Sequence, residues 1–425
     1  MTQRDFPFDL NLVNKLIKIY GTPLQLYDVH SMKLNSIYFM ETFKTFVPDF
    51  KQFFAVKALP NPNILKLLVD LGMGLDCSSS SELKIAEMIG VPGTNIMFTS
   101  NFTSESDLKQ ALEQNVIINL DDYSLIDTLY KIKNKLPSKL FFRFNPGIGR
   151  TDSETKSNVL GGPDAKFGMD KPSIIRACKT SLKLGTQEIG IHMMTGSNVT
   201  NLDYWDELID KLFELLDELN KQNIPIKYIN LGGGIGVNYQ TGIEVDIYSL
   251  AKKIGNKIIE SCFKYGLEIP DVYMENGRFI TGPYGYLISH CNSVKNLYGK
   301  TFYGLDACMS NLMRPGMYNA YHHISILDKP YSTNMMEANV VGTLCENNDW
   351  FAKNRMLPVA NPGDYFVIWD TGAHAHSMGF QYNGKLRAPE VIIDKNTFKL
   401  IRRREIFEDY ISTVLYNKNL NDLIL

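Results

Sequence analysis

From residue 53 to residue 275 the chain repeats one unit: a short apolar run, a turn, a helical stretch and another turn. The apolar runs are 53–58, 74–77, 95–99, 116–120, 140–145, 188–193, 226–231 and 271–275. All lack proline, and most are rich in β-branched or aromatic residues, the composition of buried strands. Helical patterns fill 64–71, 81–89, 104–113, 123–136, 172–184, 204–222 and 249–265. The clearest is 204–222, with Leu208, Leu212, Leu215, Leu216 and Leu219 on one face. One unit recurs every ~30 residues, as βαβ units require. Eight parallel strands interleaved with helices predict a (β/α)8 barrel. A doubly wound open sheet shares the local pattern, and the count of eight favours the barrel.

Beyond about residue 280 the rhythm changes. Runs at 284–294, 301–305, 337–343, 365–369 and 399–402 read as strands, with no long helix until 404–415. This predicts a second, mostly β domain. A helix-like segment lies within 8–30 and ends in a short strand, 24–27, ahead of the barrel; that strand is expected to pair with the β domain. The expected division is 1–35, 36–280 and 281–425, and a chain of 425 residues is too long for one ordinary core. A formal net charge of -2 without a basic block suggests neither nucleic acid nor an anionic membrane surface. No apolar run reaches the ~18 residues of a membrane span, and the N-terminus lacks a signal-peptide core. Six scattered cysteines without a CxxC pair suggest a reduced, cytoplasmic protein, and no zinc pattern surrounds Cys345.

In such barrels chemistry sits at the C-terminal strand ends. Lys57 closes the first run, Asp76 lies in the second, Arg143 in the fifth and His192 in the sixth. Gly232, Gly233 and Gly234 end the seventh; Glu275, Gly277 and Arg278 end the eighth. An ammonium in an apolar strand is costly to desolvate, so burial is expected to lower the pKa of Lys57 and free a nucleophilic amine. Such an amine suits a Schiff base with an aldehyde cofactor; the bland alternative is a lysine reaching solvent. Glycines without Cβ atoms let backbone N–H groups approach a phosphate, although a glycine triplet alone is more often a loose turn. Glu275 suits a protonated ring nitrogen, or else simply pairs with Arg278. Lysine, glycines and acid together describe pyridoxal 5'-phosphate. In the second domain Arg314 and Tyr318 could hold a carboxylate. Cys345 and Glu346 fall in a polar turn.

These motifs identify a resemblance. The chain resembles the fold-type III pyridoxal-phosphate decarboxylases and, within them, is most similar to the diaminopimelate decarboxylases, from Tyr20-Gly21-Thr22-Pro23 to Arg387-Ala388-Pro389-Glu390. The resemblance implies a barrel plus a β domain. It implies Lys57 as the cofactor lysine, Asp76 and Glu82 as acids near the cofactor, the glycine triplet at the phosphate and Glu275 at the ring nitrogen. Arg278, Arg314 and Tyr318 would hold a distal carboxylate. Cys345, paired with Glu346, would donate a proton from the partner subunit of a homodimer. The run Asp349–Arg355 points to diaminopimelate rather than ornithine, with L-lysine as product. Two departures stand out. Met194, in His192-Met193-Met194-Thr195-Gly196-Ser197, replaces a histidine that stacks on the cofactor, and His374 replaces a tyrosine near the phosphate. They leave open a decarboxylase of another basic or D-amino acid, or of a conjugate; a racemase and a non-catalytic homologue are weaker alternatives.

Overall fold

The computed structural model describes residues 4–150, 159–242, 245–329 and 331–416. The expected strands form because almost every residue in them is buried. They are β2 (Lys51–Ala55), β3 (Gly74–Cys77), β4 (Ile96–Thr99), β5 (Ile117–Leu120), β6 (Lys139–Arg143), β7 (Glu188–His192), β8 (Tyr228–Asn230) and β9 (Asp271–Met274). They pair in parallel in chain order, and β9 closes on β2, giving the eight-stranded barrel. Phe53, Met97, Ile117, Phe141, Tyr228 and Tyr273 fill its interior. A core of side chains rather than a pore therefore supports the strand ends.

The helices α3 (Pro62–Asp70), α4 (Ser80–Met88), α5 (Glu105–Glu113), α6 (Leu125–Lys133), α7 (Lys171–Lys183), α8 (Tyr204–Lys221) and α9 (Ile247–Tyr265) follow the expected runs within a few residues. The N-terminal segment differs from expectation. Helix α1 (Leu10–Tyr20) leads into β1 (Leu24–Asp28), and a further helix, α2 (Val29–Phe46), follows directly. Asp28 caps α2 by accepting from the Ser31 N–H. Helix α2 packs against α9 and completes a ring of eight helices.

The second domain holds β10 (Gly285–Leu297), β11 (Lys300–Leu305), β12 (Ile324–Ile326), β13 (Met335–Val341), β14 (Trp350–Pro358), β15 (Tyr365–Trp369), β16 (Glu390–Asp394) and β17 (Thr397–Arg402). Strands β12, β14 and β16 were not expected from sequence. The helix expected over 404–415 shrinks to Phe407–Tyr410, with Ile406, Phe407 and Val414 exposed. None of the described residues 404–416 is buried, so packing does not support a longer helix there. Strand β1 pairs antiparallel with β10 and parallel with β16, as expected of an N-terminal strand belonging to the β sheet. Among the described residues no helix is long and apolar enough to cross a membrane.

Candidate active site

The barrel's strand ends meet the β domain directly: the His374 N–H donates to the Ala58 carbonyl at 2.9 Å. Lys57 stands in a 3-10 turn, Val56–Ala58, one step past β2 rather than inside the strand. Its ammonium donates to Asp76 Oδ2 at 2.9 Å; the Asp76 side chain is fully buried, while that of Lys57 is nearly half exposed. The expected fall in the lysine's pKa is overturned. Burial does push it down, but Asp76 and then Glu275 outweigh burial, and the pKa is raised. Asp76 bears the cost. Burial, and then the charge of Glu275, raise its pKa to about 7 despite Lys57 beside it. An acid near neutrality, hydrogen-bonded to the ammonium, gives the amine's proton a place to go.

Glu275 lies one residue past β9. Its Oε2 is 3.1 Å from His192 Nε2, and its Oε1 accepts from Asn230 at 2.7 Å and Thr99 at 3.3 Å. Burial alone would raise its pKa; the His192 imidazole, Lys57 and the Asn230 hydrogen bond together bring it down to about 2. Glu275 is therefore a fixed negative charge at the strand ends. Glu82, by contrast, is occupied at the start of α4, where it accepts from the Ser78 N–H at 2.7 Å.

The glycine triplet is required by close approach. A Cβ on Gly232 would lie 2.3 Å from the Met193 carbonyl, one on Gly233 2.3 Å from the Glu275 carbonyl, and one on Gly234 2.7 Å from the Gly196 carbonyl. Gly232 and Gly234 also take φ of +66° and +100°. Gly277 packs the Arg278 loop against the lysine's turn, where a Cβ would meet Ala58 at 2.8 Å. Met194 Sδ accepts from the Gly233 N–H at 3.1 Å. A thioether is a weak acceptor, so this amide is readily given up to a phosphate oxygen. Arg143 lies 3.6 Å from Asp121 and donates to the Met194 carbonyl at 3.4 Å.

Two more cations gather beside this group. Arg278 donates to the Tyr239 phenol at 2.9 Å and to Ser197 Oγ at 3.5 Å. Arg314, buried at the start of a short helix, holds its Cζ 4.5 Å from the Tyr239 ring centroid. Burial lowers its pKa to about 10. His322 Nδ1 donates to the Trp369 carbonyl at 2.8 Å, which leaves Nε2 to accept from Arg314 at 2.8 Å. Tyr318, half-buried, ends the same short helix. Burial, and then Arg278, Arg314 and Lys57, hold His374 neutral, with a pKa well below the usual range. It takes φ +57°.

The structure thus brings together two bonded pairs, Lys57–Asp76 and His192–Glu275, whose charges act on one another, and gathers Arg278, with Ser197, and Arg314 around Tyr239. Cys345 and Glu346 are not joined to them. Cys345 is exposed; its N–H donates to Asn383 Oδ1 at 2.7 Å, and Tyr382 donates to its carbonyl at 3.4 Å. Glu346 accepts from the Asn348 N–H at 3.0 Å. Neither hydrogen-bonds to Lys57, Glu275 or Arg278. Tyr239, His322 and Asn230 were not singled out from sequence. Asn230 was legible as an amide inside an apolar run, one residue before its end; Tyr239 and His322 lie in irregular segments without a pattern.

Residues 37–282 match the family described as pyridoxal-dependent decarboxylase, pyridoxal binding domain. The chain belongs to the pyridoxal-dependent decarboxylases. Protein TabA of Pseudomonas amygdali pv. tabaci is 36% identical over 408 residues, covering 94% of this chain and 92% of that one. The diaminopimelate decarboxylase of Methanothermobacter thermautotrophicus is 32% identical over 392 residues, covering 92% and 91%. The crystal structure of diaminopimelate decarboxylase from Helicobacter pylori complexed with L-lysine superposes with a TM-score of 0.85, at 28% identity and 94% and 98% coverage. This decarboxylase therefore uses pyridoxal phosphate, and its residues fit that group: an amine on an acid partner, a glycine cradle that admits no Cβ, and a buried ionised carboxylate.

The raised pKa of Asp76 makes a testable claim about the cofactor-free protein. Its folded value, about 7, lies above the ordinary carboxylate value of 3.8. The folded state therefore holds a proton that the unfolded chain releases between those pH values, and stability falls as pH rises through this window. D76N removes that penalty. Its Tm should exceed wild type by about 2–4 °C at pH 8, with the gap narrowing towards pH 4. Equal gaps at both pH values in thermal melts would show that Asp76 does not titrate there.

Proposed function

We propose that this decarboxylase removes one carboxylate from meso-2,6-diaminopimelate to give L-lysine and carbon dioxide. The observation that carries the substrate is the convergence of two buried or half-buried guanidinium groups, Arg278 and Arg314, on one phenol. Two cations beside the lysine suit an amino acid with a second carboxylate. A substrate lacking it leaves them uncompensated, which disfavours ornithine and lysine. The diaminopimelate decarboxylases among the relatives support the same reading.

In this reading Lys57 supplies the amine that holds the cofactor's aldehyde, and the amides of Gly232, Gly233 and Gly234 hold its phosphate. Arg143, Met194, Ser197, Gly277 and His374 complete that pocket. Pyridoxal phosphate, when bound, supplies the sink for the electron pair freed as the Cα–carboxylate bond breaks. Glu275, kept ionised by His192 and Asn230, presents the acceptor for a protonated ring nitrogen. Asp76 orients the Lys57 amine and exchanges a proton with it. Arg278, Arg314 and Tyr318 hold the distal carboxylate. Cys345 returns a proton to Cα and Glu346 faces the substrate, both reaching in from a second copy of the chain; their exposure and separate location support a homodimer with shared sites.

The test is carbon dioxide release from meso-diaminopimelate, L-lysine, L-ornithine and D-basic amino acids. Diaminopimelate should be preferred by at least about 10²-fold in kcat/KM. Comparable turnover of lysine or ornithine would reject the diacid. A second reading, a larger conjugate of a diamino diacid, is favoured by Met194 and His374, where the family pattern has other residues. A wild type inactive on every free amino acid but carrying cofactor would move the choice to that reading.

A further inference from the structure

Tyr239 lies in the loop after the glycine triplet and ties together groups from three parts of the chain. Its phenol oxygen accepts from Arg278 at 2.9 Å, while its ring faces the Arg314 guanidinium with Cζ 4.5 Å from the centroid. The His322 ring, which accepts from Arg314, packs against Tyr239 with centroids 4.9 Å apart. The backbone is held as well. Arg4 Nη2 donates to the Tyr239 carbonyl at 2.8 Å, and Arg4 Nη1 pairs with buried Asp370 at 2.6 Å. Arg278 and Arg314 carry like charges and oppose each other; the phenol and its π face offset that repulsion and set their separation.

We propose that Tyr239 is a positioning residue: it fixes the spacing of Arg278 and Arg314, and so selects a substrate with a second carboxylate. This rests on the diacid reading above. The phenol acts on the end of the substrate remote from the bond that breaks. Its contribution is therefore uniform binding, which appears in KM and not in kcat. It should also vanish for a ligand that lacks the distal carboxylate.

The experiment compares wild type, Y239F and Y239L as holoenzymes, measuring kcat and KM for diaminopimelate and the inhibition constants of L-lysine, which keeps the distal carboxylate, and of 1,5-diaminopentane, which lacks it. Y239F keeps the ring under Arg314 and loses the acceptor for Arg278; KM should rise about 10-fold with kcat within about twofold. Y239L loses both, and KM should rise about 100-fold. The inhibition constant of L-lysine, which keeps the distal carboxylate as product, should rise in parallel with KM, that of 1,5-diaminopentane should be unchanged in both variants, and the weaker effect of Y239F serves as the conservative rescue. An unchanged KM in Y239F overturns the proposal. So does a parallel rise in diaminopimelate KM and the 1,5-diaminopentane inhibition constant, which marks general damage to the pocket. Failure of the underlying reading is seen separately, in the wild type alone: lysine decarboxylated as well as the diacid overturns both.

Discussion

Replacing Lys57 with alanine lowers turnover by at least about 10³-fold and strips the purified protein of its visible cofactor absorbance. Among the described residues the amine is the only one bonded to Asp76 and acting on Glu275, so no described lysine can stand in. The fold should survive: the Lys57 side chain is nearly half exposed, and its turn is held by backbone bonds from Leu59 and His374. Carbon dioxide release and an absorbance spectrum of the same preparation check this. A yellow, active K57A protein would end the assignment. With sites shared across the proposed homodimer, K57A mixed with C345A, itself expected to be inactive alone, should recover about a quarter of wild-type activity, because half of the randomly paired dimers would carry one intact site of two. No recovery on mixing would place the thiol in its own subunit's site or outside the chemistry.

Glu275→Gln should lower kcat by about 10²–10³-fold, the cost of removing one fixed charge from a buried site. The amide keeps the shape and can still meet Asn230 and Thr99, so lost activity reports the charge. Stability supplies an independent reading. The folded pKa of Glu275, about 2, lies below the ordinary value of 4.5. The ionised form therefore stabilises the fold above the unfolded pKa, and that contribution is lost as pH falls towards 2. E275Q should melt below wild type at pH 7 and approach it near pH 3. Unchanged kcat together with coincident melting curves at pH 7 would reduce Glu275 to a spectator.

The barrel was legible because its strands are buried on both faces and read as apolar runs closed by turns. The strand-end positions of Asp76, Arg143, His192 and Glu275 followed from that register. Helix α2 was missed because its inward face mixes Asn35 and Ser36 with Met32, Phe39 and Phe43, which blurs the apolar period. Strand β16 was missed because its pairing with β1 spans hundreds of residues and leaves no local mark. The pKa of Lys57 was misjudged for a similar reason. The sequence displays the apolar neighbours Phe54 and Val56, while the deciding acids arrive from β3 and from the end of β9. Tyr239 shows the same limit: nothing near it in sequence announces two arginines from distant segments.

Strand β1 sits between β10 and β16, hydrogen-bonded to both. During synthesis residues 24–28 leave the ribosome first, whereas 285–297 and 390–394 emerge after every barrel strand has been made. The barrel can close while β1 still carries two bare edges, each a template for pairing with a neighbouring nascent chain. Seating β1 between β10 and β16 should therefore come late in folding, after both partners have been made.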